Sequence, residues 1–460
     1  MKGLRLIGLS YGVSAIAAVA CGQAFEYHAL EETDTDFTGN ISVSAQGDVI
    51  VAYLRHRDKA SAIHWAPPAA PTRHGFDDPS FFVIDSGFFA VSGGGSLVAT
   101  IASVDDPDDV DDRIVSSLWE PDGGFGSVLE APEPYVDAAI TARSQEGQIA
   151  TGYYYANTRD FDGIQPLQWL ADGTVRTIPL APGYPYFEME GASSDGSRIL
   201  MNLSDRWRGL SFRPAIWSEE TGYFFLDEGG PLDPEPRPVT PWDAPALAIS
   251  ADGTTVVGGA GFGYPYFWTE PNGFSWIHER DPRLRLRVAR DVSHDGSVIV
   301  GWADFEEPDN PSVSQIQPFV SFPNGDVLPL HDLLGDQADL IEGWQFSDGF
   351  GEPLALSDDG RVLVGLARQP DDTHVIWRME LPPASACIAD FAPRDGCVPG
   401  ERDGLVLVAD FACYLSAWTA ASPVADITDT GRCTPMQASG DGVDLSDLSC
   451  YLAHWARGCR

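Results

Sequence analysis

The sequence predicts an all-β fold, a seven-bladed β-propeller, followed by a small disulfide-rich α-helical domain. Two observations lead to this prediction. A turn-forming phrase recurs about every 52 residues between Ser44 and Ser357, which is the length of a propeller blade rather than of a helical repeat. All six cysteines beyond the N-terminal segment lie between Cys387 and Cys459, so a cross-linked domain follows a cysteine-free body.

The recurring phrase has the form Ser-x-Asp-Gly-x-x-Val-Val-Gly. Its clearest copies begin at Ser250, Ser293 and Ser357, and looser copies begin at Ser44, Ser92, Ser144 and Ser193. Asp-Gly favours the positive φ angles of tight hairpins, so each copy predicts a turn between two strands.

A short strand that ends in an aromatic residue follows each copy. These strands lie at 62–65, 117–119, 167–169, 215–217, 266–268, 319–322 and 375–377. A second turn signal often comes next, as at 121–123, 171–173 and 323–325. Four antiparallel strands repeated seven times make a propeller with the aromatic row packed between blades. A β-sandwich array and a β-solenoid are the alternative architectures.

The last repeat ends one strand short, at residues 377–381. The segment 25–30 comes before the opening strand of the first repeat. We therefore predict that residues 25–30 complete the last blade, which would close the ring and remove a free sheet edge.

These repeats resemble the HAF family of bacterial extracellular repeat proteins, whose unit runs Ser-x-x-Gly-x-x-Val-Gly and then Ala-Phe-x-Trp. The resemblance covers most of residues 41–380 and is best in the last three copies. It implies a secreted, propeller-like fold and brings no established activity.

The N-terminal segment indicates the cellular compartment, and the net charge restricts the possible partners. Residues 1–24 read as a signal peptide, with Lys2 and Arg5 before an apolar run, and lipidation at Cys21 is an alternative form of processing. No later stretch is long and apolar enough to cross a bilayer. The chain carries 28 Lys+Arg against 68 Asp+Glu, a net charge of −40, so nucleic acid is excluded as a partner. The expected location is secreted or cell surface.

The predicted domains are therefore a signal peptide (1–24), a propeller (25–380), a linker (381–386) and a C-terminal domain (387–460). The C-terminal domain contains an internal duplication, since residues 410–418 match 447–455 at an offset of 37. Each copy has apolar residues at i, i+4 and i+7, which predicts an amphipathic helix preceded by an Asp-Gly loop.

This domain resembles the GC-type dockerin domain that ends bacterial secreted proteins. Its marks are the opening 387–390, the mid-point 423–426 and the closing Gly458-Cys459. The resemblance implies attachment to a surface or scaffold partner. It also implies Ca²⁺ ligands among seven aspartates: Asp390, Asp403, Asp410, Asp426, Asp441, Asp444 and Asp447. Leu407 and Pro399 depart from the ligand pattern, so disulfides alone are the alternative means of holding the loops.

The symmetry of the two halves suggests a cysteine pairing. The hypothesis joins Cys397 to Cys413, Cys433 to Cys450 and Cys387 to Cys459, one of fifteen possible connectivities.

The functional hypotheses differ in class. The leading hypothesis is an exported, non-catalytic protein whose propeller recognises a protein or glycan and whose tail anchors it. The alternatives are a secreted polysaccharide hydrolase or lyase and a structural surface-layer component.

No His-x-x-x-His pair or Gly-x-Ser-x-Gly elbow marks a catalytic site. Aromatic runs at 153–155, 183–187 and 263–267 predict either packing between blades or contact with a ligand. Convergence of several acids with an Arg or Tyr in the central channel would favour an enzyme.

Overall fold

The structure is a computed structural model. It describes residues 25–30, 37–56, 59–75, 81–82, 98–104, 113–120, 124–129, 137–143, 150–155, 165–170, 174–205, 212–226, 244–260, 264–279, 281–306, 314–323, 327–346, 354–381, 428–429 and 432–433. Within these ranges there is no helix with the length and hydropathy needed to span a membrane.

Strands dominate the described residues. The first thirteen are β1 (Phe25–Ala29), β2 (Phe37–Val43), β3 (Ile50–His56), β4 (Lys59–Trp65), β5 (Thr72–Gly75), β6 (Phe81–Phe82), β7 (Val98–Val104), β8 (Arg113–Glu120), β9 (Gly124–Leu129), β10 (Asp137–Arg143), β11 (Ala150–Tyr155), β12 (Gln165–Trp169) and β13 (Val175–Thr177). The next twelve are β14 (Tyr186–Ala192), β15 (Arg198–Ser204), β16 (Arg213–Ser218), β17 (Gly222–Phe225), β18 (Ala246–Ile249), β19 (Thr255–Ala260), β20 (Tyr264–Thr269), β21 (Gly273–Trp276), β22 (Leu284–Val292), β23 (Ile299–Glu306), β24 (Ser314–Ser321) and β25 (Val327–Pro329). After α1 (Leu330–Leu334) and a 3₁₀ helix (Gly335–Ile341) come β26 (Leu354–Leu356), β27 (Val362–Arg368), β28 (His374–Glu380), β29 (Thr428–Asp429) and β30 (Arg432–Cys433).

The described strands form seven four-stranded antiparallel sheets and one two-stranded sheet, β29–β30. Sheets 1 to 6 each take four consecutive strands, from β2–β5 to β22–β25, and sheet 7 contains β26, β27, β28 and β1. The predicted order of elements is confirmed in sheets 4 and 5. It runs strand, Asp-Gly turn, strand, loop, aromatic strand, turn and strand. The fold is all-β and propeller-like, because the first strands of consecutive sheets lie side by side from β10 through β14, β18, β22 and β26 to β2.

The N-terminal strand completes sheet 7, as predicted. β1 pairs with β28 in antiparallel register from Phe25 opposite Met379 to Ala29 opposite Val375. The Phe25 side chain is 2% exposed, and its ring lies 6.2 Å from that of Trp377. Sheet 7 also packs on sheet 1, so the last sheet contacts the first through buried residues such as Trp65.

Tryptophans of the third strands fill the space between sheets. Five of them are between 0 and 6% exposed: Trp65, Trp169, Trp217, Trp268 and Trp377. Trp268 of sheet 5, for example, belongs to one buried cluster with Leu200 and Ile216 of sheet 4. The predicted packing of the aromatic row between sheets is therefore confirmed for all of these positions except Trp169, for which burial alone is shown. Burial of such large rings is a main source of stability.

The Ser-x-Asp-Gly phrase forms the turn between the first and second strands of a sheet. In sheet 6 the Ser293 hydroxyl donates to Asp295 Oδ1 at 2.9 Å and accepts from the Val298 amide at 2.9 Å. Gly296 has φ +72°, a left-handed conformation that favours glycine. The looser first copy has no Asp at this place, and there the Ser44 hydroxyl donates to Asp48 instead.

Neighbouring turns are also bonded to one another across sheets. The Ser194 amide donates to Ala251 O, the Asp252 amide to His294 O, the His294 amide to Asp358 O and the Asp359 amide to Ala45 O. These bonds link the turns of sheets 4, 5, 6, 7 and 1 in order. The repeated phrase therefore has a structural role, and its aspartate accepts hydrogen bonds within the turn.

We predict that Ser293→Ala lowers the free energy of unfolding by about 1–3 kcal/mol, because the buried Val298 amide loses its acceptor. Urea denaturation measures the change. The matched control is His294→Ala in the same turn, where the side chain is exposed and only the backbone is used, so its effect stays within about 0.5 kcal/mol. Equal effects from the two variants would contradict this account of the turn.

Candidate functional site

Charged side chains gather on the inner strands, the name used here for the first strands of the sheets. Glu188 and Glu190 lie on β14 of sheet 4, and Arg290 and Asp291 lie on β22 of sheet 6. β18 of sheet 5 lies between these two strands and contacts both. The inner-strand cluster is defined here as Glu188, Glu190, Asn202, Tyr266 and Arg290.

Asn202 positions the carboxylate of Glu190. The Asn202 side chain is 0% exposed, and its Nδ2 donates to Glu190 Oε1 at 2.9 Å and to Ala246 O at 2.8 Å. Its Oδ1 accepts from the Ala246 amide at 2.9 Å. Asn202 on β15 therefore holds sheet 5 against sheet 4 and fixes one oxygen of Glu190.

Burial and the neighbouring charge of Glu188 raise the pKa of Glu190 to about 7. The hydrogen bond from Asn202 and the charge of Arg290 act in the opposite direction and are weaker. Burial also raises the pKa of Glu188. At neutral pH, Glu190 is thus divided between the acid and the carboxylate, so it can both donate and accept a proton.

Arg290 and Tyr266 complete the cluster. Burial lowers the pKa of the Arg290 guanidinium, although Glu190 opposes this shift, and Arg290 Nε is buried without a hydrogen-bond partner among the described residues. Tyr266 is 1% exposed, and burial followed by the charge of Glu190 raises the pKa of its phenol. A tyrosine of β20 therefore lies beside the acids and the arginine of the inner strands.

A second pair of acids joins sheets 6 and 7. The Asp291 carboxylate accepts from the Leu356 amide at 2.8 Å and from the Val292 amide at 2.8 Å. Burial raises the pKa of Asp291 to about 6 despite these two donors. Burial, together with the charges of Asp291 and Asp359, raises the pKa of Asp358 to about 8.

We predict that stability falls as pH rises from about 4 to about 8. The folded-state pKa values of Asp291 and Asp358 lie above that of an unfolded aspartate. Between these values the native state binds more protons than the unfolded state, so raising the pH destabilises the native state. Thermal unfolding at pH 5 and pH 8.5 measures the fall. Asp358→Asn should reduce it, whereas Asp205→Asn, on an exposed residue, should leave it unchanged. The same fall in both variants would contradict the assignment to Asp358.

The residues predicted as sites from the sequence lie almost wholly outside the described residues. Asp390, Asp403, Asp410, Asp426, Asp441, Asp444 and Asp447 are outside, as are Cys387, Cys397, Cys413, Cys450 and Cys459. Only the backbone of Cys433, in β30, is described. The Ca²⁺ sites and the disulfide pairing therefore stay predictions. In the described part of the chain, no group of three or more His, Cys, Asp or Glu is placed to hold a metal ion.

The aromatic runs are described in part and favour packing. The Tyr266 ring lies 5.1 Å from Phe274 in an edge-on arrangement, and Tyr184 lies 5.6 Å from Phe225. The Tyr184 hydroxyl also accepts a hydrogen bond from Arg213 at 2.9 Å.

Sequence reasoning missed the inner-strand cluster, although a signal was present. Glu190 and Arg290 each stand three residues before the serine of their repeat, and the same place holds Leu247 and Leu354 in two other repeats. A comparison of repeats position by position would have marked these two charged residues as departures from an apolar position.

Comparisons with known proteins show the fold alone. No family model matches the chain, and no curated protein matches it. The solved oligogalacturonate lyase from Vibrio parahaemolyticus is similar, with a TM-score of 0.51 and 9% identity over 81% of this chain and 97% of that chain. An oligogalacturonate lyase in complex with manganese has a TM-score of 0.49 and 11% identity, over 81% of this chain and 96% of that one. A putative TolB from Agrobacterium tumefaciens has a TM-score of 0.38 and 12% identity, over 78% of this chain and 98% of that chain. The first of these places the chain among β-propeller-like folds.

Proposed function

We propose that the chain is an exported seven-bladed β-propeller of the HAF type that recognises a protein or glycan ligand. In this proposal residues 387–460 form a dockerin-like domain that anchors the propeller to a surface or scaffold partner. The observation that carries the ligand-binding role is the inner-strand cluster. Convergent polar groups with shifted pKa values, set on rigid strands, are typical of binding and catalytic sites.

The cluster has donors and acceptors suited to a polar ligand. Arg290 offers guanidinium N–H donors, and its Nε has no partner among the described residues. Glu190 offers a carboxyl group that donates or accepts near neutral pH. Glu188 is exposed and supplies a further acceptor. A ligand that brings both donors and acceptors satisfies these groups better than an apolar one.

Binding assays on the exported full-length chain test this role. A glycan array and a panel of surface proteins provide the ligands, and Arg290→Met should weaken the strongest interaction by at least about fivefold, or about 1 kcal/mol. The matched control is Arg285→Gln, which removes an exposed arginine from the same strand. Equal binding by the wild-type protein and Arg290→Met would contradict a ligand site at the cluster.

The second candidate function is a polysaccharide hydrolase or lyase, and the pair Glu188 and Glu190 favours it. Two carboxyl groups with different environments are the usual means by which an enzyme obtains an acid and a base at one pH. The acidic pair disfavours a polyanionic substrate such as oligogalacturonate, because like charges repel at short range. It therefore favours a hydrolase over a lyase, since β-elimination requires a uronate residue in the substrate.

Product release from neutral polysaccharides and from oligogalacturonate tests the enzymatic candidate. An enzyme that uses Glu190 as its acid loses activity as pH rises through about 7, and Glu190→Gln abolishes the activity. Glu279→Gln, on an exposed residue, is the control. Turnover by Glu190→Gln at the wild-type rate would remove Glu190 from the mechanism.

Cell fractionation tests the proposed anchor. The full chain should stay on the envelope, and a chain truncated after Pro383 should appear in the medium. If both forms are equally free in the medium, the anchoring role is wrong. A surface-layer role would instead give self-association of the full chain, which sedimentation detects.

A further inference from the structure

A groove lies at the junction of sheets 3, 4 and 5, and residues of their strands and turns line it. Its volume is about 600 Å³, within the range of ligand pockets in proteins. Apolar residues including Ile216, Phe224 and Trp268 form part of its wall, and charged residues form the rest. The groove differs from the inner-strand cluster, since none of the five cluster residues lines it.

An aromatic ring faces the groove. Phe224 on β17 is 39% exposed, and its ring lies 5.7 Å from that of Trp268. Trp268 is only 1% exposed, so it supports Phe224 from below and limits its movement. A supported, exposed aromatic ring is a surface on which the apolar face of a sugar can stack.

Gln168 lines the groove and has an unused acceptor. Its side chain is 1% exposed, and Nε2 donates to Gly196 O at 2.6 Å. This bond fixes the orientation of the amide. Oε1 is buried and has no hydrogen-bond partner among the described residues. A buried acceptor without a partner is unfavourable, and a hydroxyl or N–H donor of a ligand would satisfy it.

The charges around the groove select against anions. Its lining contains two guanidinium groups and four carboxylates, and each guanidinium is already paired: Arg176 with Glu219 at 2.8 Å, and Arg198 with Glu270 at 2.8 Å. The remaining carboxylates, Asp195 and Glu220, leave the lining with an excess of negative charge. Carboxylates and the Gln168 oxygen accept hydrogen bonds, so the fitting ligand is rich in donors and carries no negative charge.

We propose that this groove binds a neutral oligosaccharide. One sugar ring stacks on Phe224, a hydroxyl donates to Gln168 Oε1, and further hydroxyls bond to the ion pairs at the rim. The proposal names a site and a ligand class for the glycan-binding role, and it does not require that the inner-strand cluster bind anything. A basic peptide is the competing ligand, since it would also be attracted to the acidic lining.

Calorimetric titration of the exported full-length chain tests the proposal. The probes are cellohexaose, xylohexaose, mannohexaose and laminarihexaose, with hexagalacturonate and hexalysine as charged comparators. At least one neutral probe should bind, and Phe224→Ala should raise its Kd at least about tenfold. Gln168→Met should also raise the Kd, because it removes the carbonyl oxygen while keeping the volume of the side chain.

Two controls separate this site from other effects. Leu180→Ala truncates another exposed apolar residue, 38% exposed and outside the groove lining, and should leave the Kd unchanged. Arg285→Gln, on an exposed arginine of β22 outside the groove lining, should also leave it unchanged. If Arg290→Met raises the Kd and Phe224→Ala does not, the ligand lies at the inner-strand cluster, so failure of the groove is distinguishable from failure of the cluster. The proposal is overturned if no neutral probe binds at millimolar concentration, if Phe224→Ala keeps the wild-type Kd, or if only a charged comparator binds.

Discussion

Deletion of residues 25–30 is expected to remove most of the stability of the propeller-like fold. The deletion strips β28 of its antiparallel partner and removes two buried side chains, Phe25 and Leu30. Truncating one large buried apolar side chain costs about 2–5 kcal/mol, and the total stability of a domain is about 5–15 kcal/mol. We therefore expect the deleted chain to unfold at physiological temperature, as measured by circular dichroism.

The matched control for the deletion is Glu26→Gln. It keeps the backbone pairing and changes only a charge 3.9 Å from Arg378, which retains Glu380 as a closer partner at 2.8 Å. Such a partly exposed ion pair contributes about 0–1 kcal/mol. A deleted chain as stable as Glu26→Gln would show that β1 does not complete sheet 7.

Trp377→Ala is expected to lower the free energy of unfolding by about 3–5 kcal/mol. Trp377 is 0% exposed, and its ring contacts Phe25 at 6.2 Å and Phe346 at 6.0 Å between centroids. The indole Nε1 has no hydrogen-bond partner among the described residues, so the loss is one of packing. Urea denaturation measures it, and Leu180→Ala, on an exposed leucine, should change stability by less than about 0.5 kcal/mol.

A double-mutant cycle tests the contact between Gly365 and the indole of Trp377. A Cβ at Gly365 would lie 2.5 Å from the Trp377 indole, so Gly365→Ala destabilises the wild-type chain by about 1–3 kcal/mol. In the Trp377→Ala background the ring is gone, and the same substitution should be tolerated. Additive effects of the two substitutions would contradict the predicted contact between Gly365 and the indole.

The fold was predictable because its repeated features are local. The turn phrase combines a serine and an aspartate that bond within five residues with a glycine at positive φ, as at Ser293 and Gly296. The aromatic strands are short apolar runs that end in an aromatic residue, a pattern that predicts a buried strand, and those of sheets 3, 4 and 7 are buried along most of their length. The missing fourth strand of the last repeat then left β1 as the available partner.

The short helix α1 and the 3₁₀ helix after it were not predicted. Leu330, Leu333 and Leu334 have the i, i+3, i+4 spacing of a helix, but the signal covers barely more than one turn. Their burial against Trp344 and Phe346 stabilises the segment, and this contact depends on the packing of sheets 6 and 7. A single-turn helix of this kind is fixed by tertiary packing rather than by propensity.

The inner-strand cluster depends on long-range geometry that one sequence does not display. Glu190 and Arg290 are 100 positions apart, and they interact only because sheets 4, 5 and 6 stand side by side. Among 68 acids, the sequence alone gives no reason to pair Glu190 with Glu188 or with Asn202. The groove has the same origin, since Gln168, Phe224 and Trp268 belong to three different sheets.

Hydrogen exchange of residues 25–30, followed by mass spectrometry, tests most directly the closure of the propeller by its N-terminal strand. If β1 completes sheet 7, the amides that β1 donates to β28 exchange only as fast as those of β28, at the rate of global unfolding. If the segment instead exchanges within seconds while β28 stays protected, β1 is not part of the sheet and the closed architecture proposed for the propeller is wrong.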